Sequence, residues 1–292
     1  MTFRITEADA GRRLDRWLES RFPGLPFGTR QKLLRTGQVR VNGKRAEPGT
    51  RLEAGQEVRL PPSLQEETSS LDPLTEPQRQ LLDEAVLYSD QAMVALNKPS
   101  GLAVQGGSGV RQSLDVWLKA WGGDEDGRTL RLTHRLDRDT SGVLLLGRGA
   151  VMAARLAEAF QKHQVEKVYW ALVEGKPPLN KGTVSVPLRK AMTEQGERMV
   201  PDFENGQEAE TAYQILYKEK DCTWLALFPK QGRTHQLRVH CAYLGCPVRG
   251  DGKYGSASGQ KLHLHALQAR FPHPKSGHWT TITAPLPEHM AK

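Results

Sequence analysis

Apolar positions recur along the first sixty residues with two different periods. Leu14, Trp17, Leu18 and Phe22 fall at i, i+3, i+4 and i+8, on one face of a short helix starting near Ala10. A second helix is predicted from Thr29, a hydroxyl N-cap, to Thr36, with Leu33 and Leu34 turned inward and Gly37 ending it. That leaves Arg30, Lys32 and Arg35 for its solvent face. Val39 and Val41 then alternate with polar residues before the hairpin-turn dipeptide Asn42-Gly43, and residues 57–60 supply a later strand. The product is a small helix-helix-hairpin module.

Further along, short β-rich runs at 94–97, 143–146, 168–173 and 223–228 predict strands, and 114–121 and 150–162 predict helices. This mixture implies an α+β domain built on an extended mixed sheet. Residues 61–84, PPSLQEETSSLDPLTEPQRQLLDE, lack sustained periodicity and are rich in Pro, Ser and Glu, which predicts a solvated linker. The expected organisation is therefore a small domain at 1–60, a linker at 61–84 and a larger domain at 85–292.

Charge sharpens this division. The 292-residue chain carries a formal +8, but the linker nets −5 while 1–60 and 85–292 net +6 and +7. Two basic domains attract polyanions in a salt-sensitive way, so nucleic acid is the leading partner class. Apolar runs such as 143–146 are far too short to span a bilayer, so no membrane partner is expected, and the N-terminus MTFRITEADAGRR has no apolar signal stretch. A cytoplasmic, monomeric protein is expected. Cys222, Cys241 and Cys246 are an odd, sparse set without a second C-x-x-C pair and read as reduced thiols. His235 and His240, like His263 and His265, fit no helix-borne zinc spacing and read as structural histidines, so no metal is expected. No phosphate-binding glycine motif is present, and no cofactor is implied.

Candidate chemistry is concentrated in 133–148, THRLDRDTSGVLLLGR, where a polar loop runs directly into a hydrophobic strand. It places Asp137 and Asp139 beside Arg131, Arg135 and Arg138. A carboxylate beside a guanidinium is held ionised and is competent as a nucleophile or base, although an isolated D-R-D also occurs in capped surface turns.

These motifs resemble those of the RluA-type RNA pseudouridine synthases, and most closely the RluC type that acts on large-subunit ribosomal RNA. The resemblance rests on His134-Arg135-Leu136-Asp137 with Asp139-Thr140-Ser141-Gly142, and on Asn97-Lys98-Pro99-Ser100-Gly101-Leu102 with Val104 and Gly106-Gly107. Lys167-Val168-Tyr169 agrees, as do the run from Gly232 to His240, Gly250-Asp251 with Tyr254-Gly255, and His265-Ala266 with Phe271 and His273-Pro274. The first sixty residues resemble an S4-type RNA-binding domain through GRRLDRWL, RQKLLRTGQVRVNGKR and LEAGQEVRLP. Two departures stand out: Gln231 where threonine is usual, and Thr133 where a small or aliphatic residue is usual.

The resemblance implies a small S4-like domain followed by a mixed-sheet pseudouridine synthase domain that needs no cofactor. It makes Asp137 the essential carboxylate, Arg238 its partner and Tyr169 the residue stacking on the base. Whether Asp137 attacks the ring, attacks C1′ or removes a proton stays open. Arg135 either leaves its loop to fill the space of an extruded uridine or pairs with Asp139, and Tyr169 would also suit a core position in a strand. Arg30, Lys32, Arg35, Lys98, Arg233 and His235 are the further RNA-contact candidates. Large-subunit ribosomal RNA is the first-choice substrate, with transfer RNA, or a noncatalytic assembly role, as alternatives.

Overall fold

The computed structural model describes residues 1–22, 25, 27–61, 73–106, 112–121, 129–194, 196–256 and 259–291. The chain forms two compact units, one of residues 1–75 with 105–121, the other of 76–104 with 122–292.

In the first unit, helices α1 (Leu14–Arg21) and α2 (Phe27–Arg35) pack on a four-stranded antiparallel sheet. Its strands are β1 (Thr2–Arg4), β2 (Arg40–Val41), β3 (Lys44–Arg45) and β4 (Glu57–Arg59). Leu14, Trp17, Leu18 and Phe22 are buried with Leu33, Leu34, Val39 and Val58, as the helical and alternating periods predict. Arg30 departs from expectation. It is buried on the inner side of α2 with its guanidinium 3.2 Å from Glu19, while Lys32 and Arg35 remain exposed. Arg30 is three residues before Leu33, so it shares that inward face.

The expected linker is corrected in part. Residues 76–84 form helix α3 (Glu76–Glu84), anchored by the buried Leu82, and belong to the second unit; residues 62–72 lie outside the described residues. One buried leucine in nine polar-rich residues is too little for a periodic signal. Helix α4 (Leu114–Trp121) groups with the first unit rather than the larger domain.

The second unit is built on β5 (Val86–Ser89), β6 (Met93–Lys98), β7 (Leu130–Leu132), β8 (Ser141–Arg148), β9 (Glu166–Glu174), β10 (Lys181–Ser185), β13 (Glu210–Lys218), β14 (Cys222–Pro229), β15 (Leu264–Pro272) and β16 (Trp279–Thr283). Among the described residues these form a ten-stranded mixed sheet, ordered β10-β13-β14-β9-β15-β8-β6-β5, with β16 on β15 and β7 on β8. β11 (Leu188–Thr193) and β12 (Gly196–Pro201) form a separate hairpin. The pairing is antiparallel except where β15 meets β8 through His265↔Ser141 and Ala266↔Gly142. Gly142 has φ +109°, and a Cβ there would lie 2.2 Å from the Ala266 carbonyl oxygen, so this parallel joint requires glycine.

Helix α5 (Gly149–Gln161) buries Leu156 and Ala159 against β6 and β8. Helix α6 (Gln236–Tyr243) buries Leu237, Val239 and Cys241 in the core beside β9 and β14. No helix among the described residues is long and apolar enough to cross a membrane.

Candidate active site

The loop between β7 and β8 is tied down from several sides. Thr133 Oγ1 donates to the Leu145 carbonyl at 2.7 Å, and His134 Nε2 accepts the Leu145 N–H at 2.9 Å. Accepting at Nε2 makes His134 neutral, consistent with a pKa pushed down to about 3 by burial and by the nearby Lys167 ammonium. Its ring stacks on Phe160 at 4.3 Å. Thr133, which departs from the family pattern, thus serves as a loop anchor.

Lys98 anchors the loop from β6. Its side chain is buried, and Nζ donates to the carbonyls of Pro99, Leu102 and Arg138 at 2.8–2.9 Å. Ser100 Oγ and Gly101 N–H add bonds to the Asp139 and Arg138 carbonyls. The motif makes Lys98 an RNA-contact candidate, but its side chain is buried and its ammonium is taken up by loop carbonyls, so it instead clamps two loops together. Burial pushes its pKa down to about 7 against the pull of Asp139 and Asp137.

Held in this way, Asp137 lines a cavity of about 530 Å³ with His134, Tyr169, His235, Arg238 and Leu264. That volume is in the range of small-ligand sites. Arg238, on α6, has only 8% of its surface exposed. Its Nε and Nη2 each donate to Asp251 at 2.7 Å, and Nη1 lies 3.8 Å from Asp137 Oδ2. Such a fork fixes the guanidinium plane. Burial works to raise the pKa of Asp251, but the Arg238 bonds and charge and the Lys253 and Tyr254 backbone N–H groups outweigh it and hold the carboxyl below its ordinary range.

Tyr169, on β9 between Leu227 of β14 and Ala266 of β15, is partly buried at the cavity wall. Burial, with the Asp137 charge, pushes its phenol well above the ordinary value, so it keeps its proton. Burial also lowers the neighbouring Lys167 to about 8, and its Nζ donates to the Gln231 carbonyl at 3.1 Å. The unusual Gln231 accepts the Glu210 N–H through its side chain, which gives this departure a structural role.

The structure thus brings Asp137, Tyr169, Arg238 and His235 together. Arg135 and Arg233 line the same cavity with exposed side chains, and Asp139 pairs with Arg138 at 3.1 Å rather than with Arg135. In the first unit, Lys32 and Arg35 line a groove of about 810 Å³ with Arg45, whose guanidinium bonds the Arg35 carbonyl. Sequence reasoning gave no role to Asp251 or Tyr254, although both lie in the motif that follows α6; their spacing from Arg238 was the available signal. His240 bonds Thr211 and the Val186 carbonyl, and His265 bonds Ser141, as structural histidines do. Among the described residues no group of three or more His, Cys, Asp or Glu side chains could hold a metal ion.

Comparison with known proteins gives the family of the chain. A family model described as RNA pseudouridylate synthase matches residues 92–243, and the S4 domain matches 12–58. The chain is 37% identical to ribosomal large subunit pseudouridine synthase C of Escherichia coli (strain K12) over 301 residues, covering 99% of this chain and 93% of the relative. It is 38% identical to the protein of the same name from Pasteurella multocida (strain Pm70) over 298 residues, covering 99% and 91%. Among solved structures, human RNA pseudouridylate synthase domain containing 4 superposes with a TM-score of 0.62 at 29% identity, over 73% of this chain and 92% of that one.

Proposed function

The chain belongs to the RNA pseudouridylate synthase family, and from that premise we propose that it isomerises uridine in large-subunit ribosomal RNA with Asp137 as the reacting carboxylate. The substrate class follows its relatives, which are large-subunit enzymes matched over nearly their whole length. The observation that carries the role of Asp137 is its place in the cavity: partly buried, facing the Nη1 of a guanidinium whose Nε and Nη2 are held by Asp251.

The reaction breaks the C1′–N1 bond, turns the uracil, joins C5 to C1′ and transfers the C5 proton away while N1 gains one. No net redox change occurs. Arg238 faces Asp137 Oδ2 and orients the carboxylate. Tyr169 offers a ring face to the base and a neutral hydroxyl beside the carboxylate. The uridine must leave its helix to enter the cavity, and the exposed Arg135 is placed at the wall to fill the vacated stack. Lys32 and Arg35 give the S4 domain a basic groove for the phosphate backbone.

The test is release of tritium from C5-labelled uridine in large-subunit ribosomal RNA, with transfer RNA as the comparison. Asp137→Asn keeps size but removes the charge, so turnover is expected to vanish while RNA affinity is retained; Asp139→Asn retains activity. Normal turnover by Asp137→Asn overturns the assignment, and release from transfer RNA alone overturns the substrate.

A further inference from the structure

Only one oxygen of Asp137 is approached by protein donors among the described residues. Arg238 Nη1 at 3.8 Å and His235 Nε2 at 4.0 Å both face Oδ2. Behind His235 runs a short chain of hydrogen bonds: Nδ1 is 2.8 Å from Tyr254 Oη, and that oxygen accepts the Met199 N–H of β12 at 3.0 Å. His235 is also one of few non-glycine residues in the left-handed region, with φ 53° at the entry to α6. Such a backbone is held against its preference by its surroundings, a feature that gathers at functional sites.

The chain has a direction. Tyr254 Oη accepts from Met199, and among the described residues His235 Nδ1 is the one acceptor within hydrogen-bond distance of its own proton, which is satisfied by donating there. An imidazole that accepts at Nδ1 carries its proton on Nε2, toward the carboxylate. The opposite tautomer would aim a lone pair at Asp137. Burial lowers the His235 pKa and raises that of Tyr254, which keeps the imidazole neutral and the phenol protonated. The Tyr254 ring is meanwhile held within 5.2 Å of the Arg238 guanidinium and 5.5 Å of that of Arg198. Tyr254 thus touches both groups that face Asp137.

We infer that Tyr254 is a positioning residue: its hydroxyl, braced by the β11–β12 hairpin, fixes His235 as the Nε2–H tautomer, which with Arg238 holds one oxygen of Asp137 and leaves the other for the substrate. The inference rests on the reading of Asp137 as the reacting carboxylate. It also makes the hairpin part of the site, because Met199 and Arg198 both belong to β12.

Tyr254→Phe preserves the ring contacts and removes only the hydroxyl. In full-length protein with ¹⁵N-labelled histidine, the His235 ring, identified by its loss in His235→Gln, is expected to report the Nε2–H tautomer in the wild type and a mixture in Tyr254→Phe. In the tritium assay kcat is expected to fall roughly ten- to a hundredfold with KM for RNA nearly unchanged, the effect of a misplaced reacting group. His235→Gln, whose amide presents an N–H near the same position, is expected to retain more activity than His235→Ala. An unchanged tautomer, an unchanged kcat or a loss confined to KM overturns the inference. If the wild type releases no tritium from any RNA, the proposed function falls instead, and the tautomer comparison still decides the hydrogen-bond chain.

Discussion

Replacing Asp251 by asparagine strikes a fully buried charge at the site. Asp251 is 1% exposed and receives both forks of Arg238, itself 8% exposed. Breaking a buried pair by neutralising one partner costs roughly 3–5 kcal/mol, because the other charge stays desolvated. Asparagine keeps one accepting oxygen and Asp137 is close enough to share the orphaned charge, which places the expected loss near the lower end, about 3 kcal/mol. For a domain of this size that lowers Tm by roughly 6–12 °C. The depressed pKa of Asp251 fixes the sign with pH. Its contribution is present above the unfolded value of about 3.9 and is lost as pH falls through the folded value. The Tm gap between wild type and Asp251→Asn should therefore be constant from about pH 5 to 8 and close in acid. With its plane released, Arg238 no longer aims Nη1 at Asp137, and turnover should drop by roughly tenfold or more while RNA affinity holds. Melting curves at several pH values and the tritium assay check both halves. A variant that melts with the wild type at neutral pH would falsify the account of Asp251 as the counter-charge that fixes Arg238.

Lys98→Met removes three donors and leaves three loop carbonyls without them, an expected loss of roughly 2–4 kcal/mol in chemical denaturation. Because the folded pKa of Lys98 is lowered to about 7, the unfolded state binds more protons above that pH, so wild-type stability should rise relative to the variant as pH climbs from about 7 to about 10; parallel pH curves contradict this. Arg135→Ala should slow modification of folded RNA far more than of a flexible single strand, since unstacking is already partly done in the latter. Equal losses on both substrates assign Arg135 to the chemical step instead.

Strands 6, 8, 9 and 14 were legible because each carries an unbroken apolar run that a buried sheet demands. Helix α6 was not, because its buried set includes Gln236, Arg238 and His240, whose polar atoms are satisfied largely by residues distant in the chain. The same limit explains Lys98 and Arg30. A cation in sequence reads as surface, and only the folded loops show the three carbonyls, and the packed helices the glutamate, waiting for it. Asp137, Tyr169 and Arg238 were reachable through motifs, whereas the assignment of Asp251 to Arg238 required the fold.

During synthesis the site cannot exist until late. The joint between β8 and β15 joins residues about 124 positions apart, as the 2.8 Å bond between Ser141 and His265 shows. Closing so long a loop adds little to the equilibrium cost, because loop entropy grows only logarithmically, but non-local pairing slows folding. The core of residues 5–60 depends on much closer neighbours and can collapse while most of the sheet is still untranslated. A nascent chain therefore acquires its basic module well before its chemistry. A chain cut short before residue 264 would carry the aspartate in its sequence and lack the strand against which its loop is braced.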